Sequence, residues 1–183
     1  MFLFLFCDQI KSQQYFTVEL GASYDQNYLN QFQSISEAES FIYTIIDGVT
    51  CLYLDLPTSK KLIFEISILR NINIDPQLNT NQRRLYATRY WFNQQDLCNK
   101  VDIAVHLSTN LIGNDGQASG GLCGVSPNGG VAIAEAVPSQ LNKSIQIVAH
   151  EIGHLLSMVH ETSAFCAIFK GLMCGVSNYD CNE

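Results

Sequence analysis

Three histidines and one glutamate in the segment HEIGHLLSMVH, from His150 to His160, have types and spacings that suit metal-dependent hydrolysis. On an α-helix, residues four apart lie on the same face, so His150 and His154 can direct ring nitrogens at one metal ion. Glu151 lies about 100° round the helix from His150, where it can reach a water at the metal but is poorly placed as a ligand. The spacing therefore predicts two fixed ligands with a general base beside them.

The third histidine can join this pair only if the helix ends before it. His160 follows His154 by six residues, which on a continued helix would turn it roughly 240° away. We therefore predict that the chain leaves the helix between them. Three protein nitrogens and one open position are typical of a catalytic zinc site. The alternative, ordinary polar positions on a half-buried helix, would require each histidine to find its own partner among apolar neighbours.

The segment resembles the zinc signature HExxHxxGxxH of the metzincin metalloproteases, and Met173 in GLMCG resembles their Met-turn. The match departs at Ser157, where the family has the glycine that lets the chain leave the helix with positive φ. We predict that Ser157 takes this left-handed conformation, which costs a residue other than glycine roughly 1 to 2 kcal/mol. Met173 is expected to form an apolar floor beneath the imidazoles.

Composition limits the class of protein. The chain of 183 residues is the size of one domain, and 47% hydrophobic residues are enough for a sizeable core. A net charge of -7 argues against nucleic acid or an anionic membrane as the main partner. No apolar run approaches the length that spans a membrane. We expect a monomer that acts on protein or peptide substrates.

Seven cysteines are spread along the chain without CxxC pairs, which favours disulfides over a cysteine metal site. Disulfides indicate an oxidising compartment, so we expect a secreted, extracellular protein. Three bonds would leave one thiol over, and spacing alone does not give the connectivity. Residues 1–14, which begin with MFLFLF, are expected to be an N-terminal extension or a signal-peptide remnant before a catalytic domain at 15–183.

The segments that must position the site alternate between strand and helix patterns. Segment 113–130 carries seven of the twelve glycines, and we predict an edge strand there rather than a loop. An edge strand beside a metal site offers backbone groups to an extended substrate. His106, a lone histidine in a strand, is expected to be structural. Strands are predicted at 15–20, 61–70, 101–107 and 130–137, and helices at 28–48, from Thr80, and at 143–156.

The order of these segments, from YFTVEL through GLCG and GGVAIAEAV to the histidine helix, resembles the reprolysin (adamalysin) branch of the metzincins. The resemblance implies an α/β, metzincin-like zincin fold: a twisted, five-stranded, mostly parallel sheet with an antiparallel edge strand, a long active-site helix and a Met-turn. Reprolysins usually have Asp where Glu161 stands. They also continue into a C-terminal helix, whereas this sequence ends ten residues after Met173. We therefore expect a form truncated after the Met-turn.

The same resemblance bears on the cysteines. In the family, a cysteine at the position of Cys123 pairs with one in the later segment, so its partner here would be Cys181 or would be absent. A bond from Cys166 to Cys174 is the favoured local alternative, because it would tie the loop after His160 to the Met-turn.

Together these observations predict a secreted zinc endopeptidase that hydrolyses peptide bonds of proteins. One Zn²⁺ would be held by His150, His154 and His160. Glu151 would take a proton from water and return it to the leaving amine. A structural calcium ion is compatible with the sequence but is not indicated by it.

Two alternatives stay open at this point. One is an inactive, zinc-binding, toxin-like or decoy protein of the same fold, favoured by Ser157 and the short C-terminal segment but not by the presence of Glu151. The other is a disulfide-stapled domain in which zinc only stabilises the fold. That domain would need a fourth protein ligand, for which Glu161 is the adjacent candidate.

Overall fold

The computed structural model describes residues 13–75, 77–109, 111, 115–119, 121–123 and 130–160. The strands are β1 (Gln14–Tyr24), β2 (Lys60–Asn71), β3 (Ile103–Ser108), β4 (Gly116–Ser119) and β5 (Val131–Glu135). The helices are α1 (Gln26–Leu29), α2 (Ile35–Asp55), α3 (Asn81–Gln94) and α4 (Leu141–Leu155). Short 3-10 turns lie at Leu97–Asn99 and Pro138–Gln140.

The five strands form one sheet in the order β2-β1-β3-β5-β4. Strand β1 pairs in parallel with β2 and β3, and β3 pairs in parallel with β5. Strand β4 lies at one edge and runs antiparallel to β5. The central strands β3 and β5 are mostly apolar and buried, as parallel strands covered by helices on both faces require. The mostly parallel sheet and its antiparallel edge strand are therefore as predicted.

The core lies on both faces of this sheet. Consecutive β3 residues Ile103 and Ala104 belong to different clusters, since successive strand side chains point to opposite faces. The cluster on the α2 and α4 face includes Ile42, Ile45, Val49, Ile147, Val148 and Ile152. The cluster on the α3 face includes Leu85, Phe92, Val101, Ala104 and Ile133.

No helix in the described part of the chain is long and apolar enough to cross a membrane.

The predicted helix at 28–48 is wrong at both ends. The structure has the single turn α1, a break, and then α2. The break has a local cause: the Ser34 hydroxyl accepts a hydrogen bond from the Glu37 N–H at 3.1 Å. The Glu37 carboxylate in turn accepts from the Gln33 N–H at 2.9 Å. These bonds satisfy N–H groups at a helix start, so a new helix begins after Ser34.

Two glycines that were expected to end elements instead lie inside them. Helix α2 continues through Gly48, where a β-carbon would overlap the Ile145 side chain of α4. Strand β1 continues through Gly21, where a β-carbon would lie 3.0 Å from the Phe92 ring of α3. Each glycine lets a helix pack closely on its neighbour, and this tertiary contact outweighs the usual cost of glycine inside an element.

Candidate metal centre

Helix α4 carries the first two histidines and is fixed from several sides. Its residues Ile147, Ile152 and Leu155 are almost fully buried in the core between the sheet and α2. The Tyr53 hydroxyl of α2 donates to the Ala149 carbonyl at 2.9 Å, one residue before the first histidine. Burying the ring of a tyrosine while bonding its hydroxyl satisfies both parts of that side chain. The helix therefore presents its histidine face from a rigid position.

The end of α4 turns the third histidine back toward the first two. Ser157 has φ of 66°, the left-handed conformation that we predicted from the sequence. The Ser157 N–H bonds to the His154 carbonyl at 3.0 Å, and the Met158 N–H bonds to the Gly153 carbonyl at 2.9 Å. This pair of bonds is the Schellman arrangement that closes a helix C-terminus. The chain thereby leaves the helix after Leu155, as the return of His160 requires.

The three imidazoles converge on one point. Their Nε2 atoms lie 3.1 Å apart for His150 and His160, 3.1 Å for His150 and His154, and 3.0 Å for His154 and His160. Tetrahedral zinc with nitrogens at about 2.0 to 2.1 Å would hold such atoms about 3.3 Å apart. Within the described part of the chain, these three residues form a group that could hold a metal ion.

The protonation of His154 suits a ligand. Its Nδ1 lies 3.2 Å from the Met158 carbonyl, a contact in which Nδ1–H is the donor and Nε2 stays free of a proton. Burial lowers the pKa of His154 and the nearby His160 lowers it further, while the bond to Met158 opposes the shift. A neutral imidazole with its lone pair at the cluster is the form that binds metal.

Glu151 lies beside this cluster in an unusual setting. Its side chain is buried, and Oε2 has no hydrogen-bond partner among the described residues. Burial raises its pKa to about 8. A buried carboxyl oxygen without a partner is costly, and a water or cation at the histidine cluster would remove that cost. A cation would also lower the pKa and keep the carboxylate charged. The donor set therefore fits a catalytic zinc ion.

The solvent exposure of the cluster changes from one side to the other. His150 is buried, His154 is half-buried and His160 is exposed. The position between the three Nε2 atoms is therefore reached from the side of His160. A site that is closed on one side and open on the other leaves room for water and substrate.

The structure thus brings together His150, Glu151, His154 and His160, as the spacing predicted. Met173 and Glu161 lie outside the described residues, so the apolar floor and the fourth-ligand alternative stay predictions. The expected cysteine partners at 166, 174 and 181 lie outside them as well.

The lone histidine of β3 belongs to a separate buried network. His106 is 2% exposed, its Nδ1 lies 3.0 Å from the Ser23 hydroxyl, and its Nε2 lies 3.6 Å from the Asp25 carboxylate. The Ser108 hydroxyl donates to the same carboxylate at 2.8 Å. With polar partners on both ring nitrogens, His106 has the structural role that we expected.

Gly116 lies at the site but was not predicted from the sequence. A β-carbon at this β4 position would lie 2.6 Å from Oε1 of Glu151. A glycine inside a strand pattern often marks a close approach of the backbone to another group, and this was the available signal. Segment 113–130 contains seven glycines, so the sequence did not single out Gly116.

Comparison with known proteins agrees with the geometry. No curated protein sequence matches this chain. A solved structure described as "Structure of a chaperone-substrate complex" is similar in fold, with a TM-score of 0.60 at 14% identity, over 82% of this chain and 25% of that one. This chain therefore spans a quarter of the length of that solved chain. A model of metallo-peptidase family M12, reprolysin type, matches residues 16–183. Since that match covers most of the sequence, the chain belongs to the reprolysin-like M12 metallopeptidases.

Proposed function

We propose that this protein is a zinc-dependent endopeptidase that hydrolyses peptide bonds within protein substrates. The observation that carries the proposal is the meeting of three histidine Nε2 atoms beside the buried carboxylate of Glu151, whose Oε2 has no hydrogen-bond partner among the described residues. His150, His154 and His160 would hold the metal. When bound, zinc lowers the pKa of water and polarises a carbonyl.

Glu151 supplies the proton transfers. Its carboxylate takes a proton from the attacking water, and the same oxygen later gives that proton to the nitrogen of the leaving amine. This role requires the charged form at the start and a neutral acid in the middle of the reaction. The buried position of Glu151 supports it, because burial brings the energies of these two forms close together.

Strand β4 provides a place for the substrate backbone. It pairs with β5 on one side only among the described strands, and Gly116 at its start lies against Glu151. An extended peptide added along the outer edge of β4 would run past the general base and the histidine cluster. Backbone pairing of this kind holds a chain in register without reading every side chain.

The proposal includes secretion, which the cysteine content supports, and a monomeric state, which the single-domain size supports. The inactive decoy alternative is disfavoured by Glu151, since a protein that only binds zinc has no need of a buried carboxyl group beside the histidine cluster.

The experiment is digestion of a denatured protein substrate by the purified chain. We expect about one zinc per chain by elemental analysis, cleavage inside the substrate, loss of cleavage with a chelator and recovery when zinc is added back. Cleavage that survives complete removal of zinc would contradict the metal role. Stoichiometric zinc without any cleavage would favour the inactive alternative.

A further inference from the structure

Two cysteines meet on the face of the sheet opposite to the metal centre. Cys98 lies in the 3-10 turn after α3, and Cys123 follows the edge strand β4. Their Sγ atoms are 2.7 Å apart. Both belong to the α3-side core, where Cys123 is 7% exposed and Cys98 is half-buried. No part of the proposed protease mechanism uses them.

The backbone around Cys123 holds its sulfur in this place. The Cys123 N–H donates to the Asp102 carbonyl at 2.7 Å, at the start of β3. On its other side, Gly130 has φ of 85°, and a β-carbon there would lie 2.6 Å from the Cys123 sulfur. Only glycine combines that conformation with so close an approach. The site thus packs a residue without a side chain against Cys123.

The turn that carries Cys98 is fixed in a similar way. The Lys100 N–H closes it by donating to the Leu97 carbonyl at 2.8 Å, and Leu97 is buried beneath it. Asp96 begins the turn in the left-handed conformation, with φ of 52°. The sulfurs therefore meet because the turn at Leu97–Asn99 holds Cys98 and the backbone hydrogen bond to Asp102 holds Cys123.

We propose that Cys98 and Cys123 form a disulfide bond that fastens the segment after edge strand β4 to the turn after α3. A disulfide has sulfurs about 2.05 Å apart, so small rotations of the two side chains would complete it. This pairing differs from the partner for Cys123 that the family resemblance implied. It also goes beyond the proposed protease function, since it concerns a covalent link away from the metal centre.

The bond can form by thiol–disulfide exchange with a small disulfide oxidant such as glutathione disulfide. Cys98 is the accessible member, and the hydrogen bond from the Cys123 thiol lowers the pKa of Cys98, although burial opposes this. The Cys98 thiolate attacks one sulfur of the oxidant and releases one glutathione thiolate. Cys123 then loses its proton, attacks the Cys98 sulfur and releases the second glutathione. Two protein thiols are oxidised, two protons leave, and one oxidant disulfide is reduced to two thiols.

The bond encloses β3 and β4 in one covalent loop. Closing a loop of this length restricts the unfolded chain, so the oxidised protein should unfold at a temperature on the order of 5 to 10 °C higher than the reduced protein.

The test is peptide mapping of the full chain without reduction, after equilibration in a glutathione redox buffer. We expect a cross-linked peptide pair that contains Cys98 and Cys123. Cys98→Ser, Cys123→Ser and the double variant should lower the unfolding temperature by the same amount, because each removes the same bond. The exposed Cys51 is the matched control, and Cys51→Ser should leave the temperature unchanged.

Cys123 is buried, so its variant could fail to fold for reasons of packing. In that case the half-buried Cys98→Ser and the map of the unmodified chain carry the test. A map that joins Cys123 to Cys181, or that finds both thiols open to alkylation after equilibration, would overturn the proposal. Additive losses in the two single variants would overturn it as well.

Discussion

Gly116 and Glu151 lie so close together that a β-carbon at Gly116 would be 2.6 Å from Oε1 of the glutamate. The edge strand therefore passes the carboxylate with its backbone alone. Gly116 belongs to strand β4, and Glu151, which we propose as the general base, belongs to helix α4. A side chain at position 116 would therefore compete with the carboxylate for the same space.

This contact predicts the effect of Gly116→Ala. The added methyl group should push the Glu151 carboxylate from its place, and small misplacements of reacting groups can cost on the order of a hundredfold in rate. We expect turnover to fall at least about tenfold while zinc content is kept. Steady-state kinetics on a peptide substrate, with zinc analysis, provide the measurement. Gln117→Ala is the control, because the next strand residue points to the other face. Wild-type turnover in Gly116→Ala would mean that this contact does not position the base.

The role of Glu151 itself is tested by Glu151→Gln. The amide has nearly the same shape but cannot accept the proton of water, so turnover should fall a hundredfold or more. Zinc binding should persist, since the three histidines are unchanged. Elemental analysis and kinetics on the same sample separate the two effects. A variant that keeps full activity would assign the base to another residue.

The left-handed turn at Ser157 predicts opposite effects for two substitutions. Ser157→Gly should stabilise the zinc-bound protein by up to about 1 kcal/mol, because glycine takes positive φ without steric cost. Ser157→Val should destabilise it, since a β-branched residue fits this conformation poorly. Thermal unfolding and zinc titration of both variants supply the comparison. If the glycine variant clearly weakens zinc binding, the turn does not deliver His160 to the metal.

The buried network around Asp25 predicts a dependence of stability on pH. Burial by itself would raise the pKa of Asp25, but hydrogen bonds and charge from His106, with bonds from the Tyr28 N–H and the Ser108 hydroxyl, hold that pKa below its ordinary value. A carboxyl group with a depressed folded-state pKa stabilises the fold above its unfolded pKa of about 3.9, and this contribution is lost as pH falls through the folded pKa.

The measurement is urea unfolding of the zinc-free protein from about pH 7 down to about pH 2, so that loss of metal does not contribute and the range extends below the unfolded pKa. Asp25→Asn should cost on the order of 2 kcal/mol at pH 7 and flatten the decline in acid. Asp47→Asn, at an exposed position of α2, is the control and should retain the wild-type profile. An unchanged acid profile in Asp25→Asn would show that the network does not set the pH dependence.

Local geometry explains what could be read from the sequence. On a helix, the spacing of His150 and His154 places both side chains on one face. The same helical period places Glu151 beside them. The return of His160 required a residue at positive φ, which the structure has at Ser157. Strand patterns rich in apolar residues predicted the buried strands, because parallel strands covered on both faces are mostly apolar. All these features depend on residues within a few positions of one another.

Tertiary packing decided what local patterns could not. Glycine is common at the ends of helices and strands, yet Gly48 and Gly21 lie inside α2 and β1. Side chains from distant segments, Ile145 and Phe92, pack against these two glycines. The approach of Gly116 to the general base has the same origin. So does the meeting of Cys98 with a cysteine after the edge strand. The spacing of residues along the chain predicts which side chains meet within one helix or strand. The distance between two elements depends on how their side chains pack together in the core.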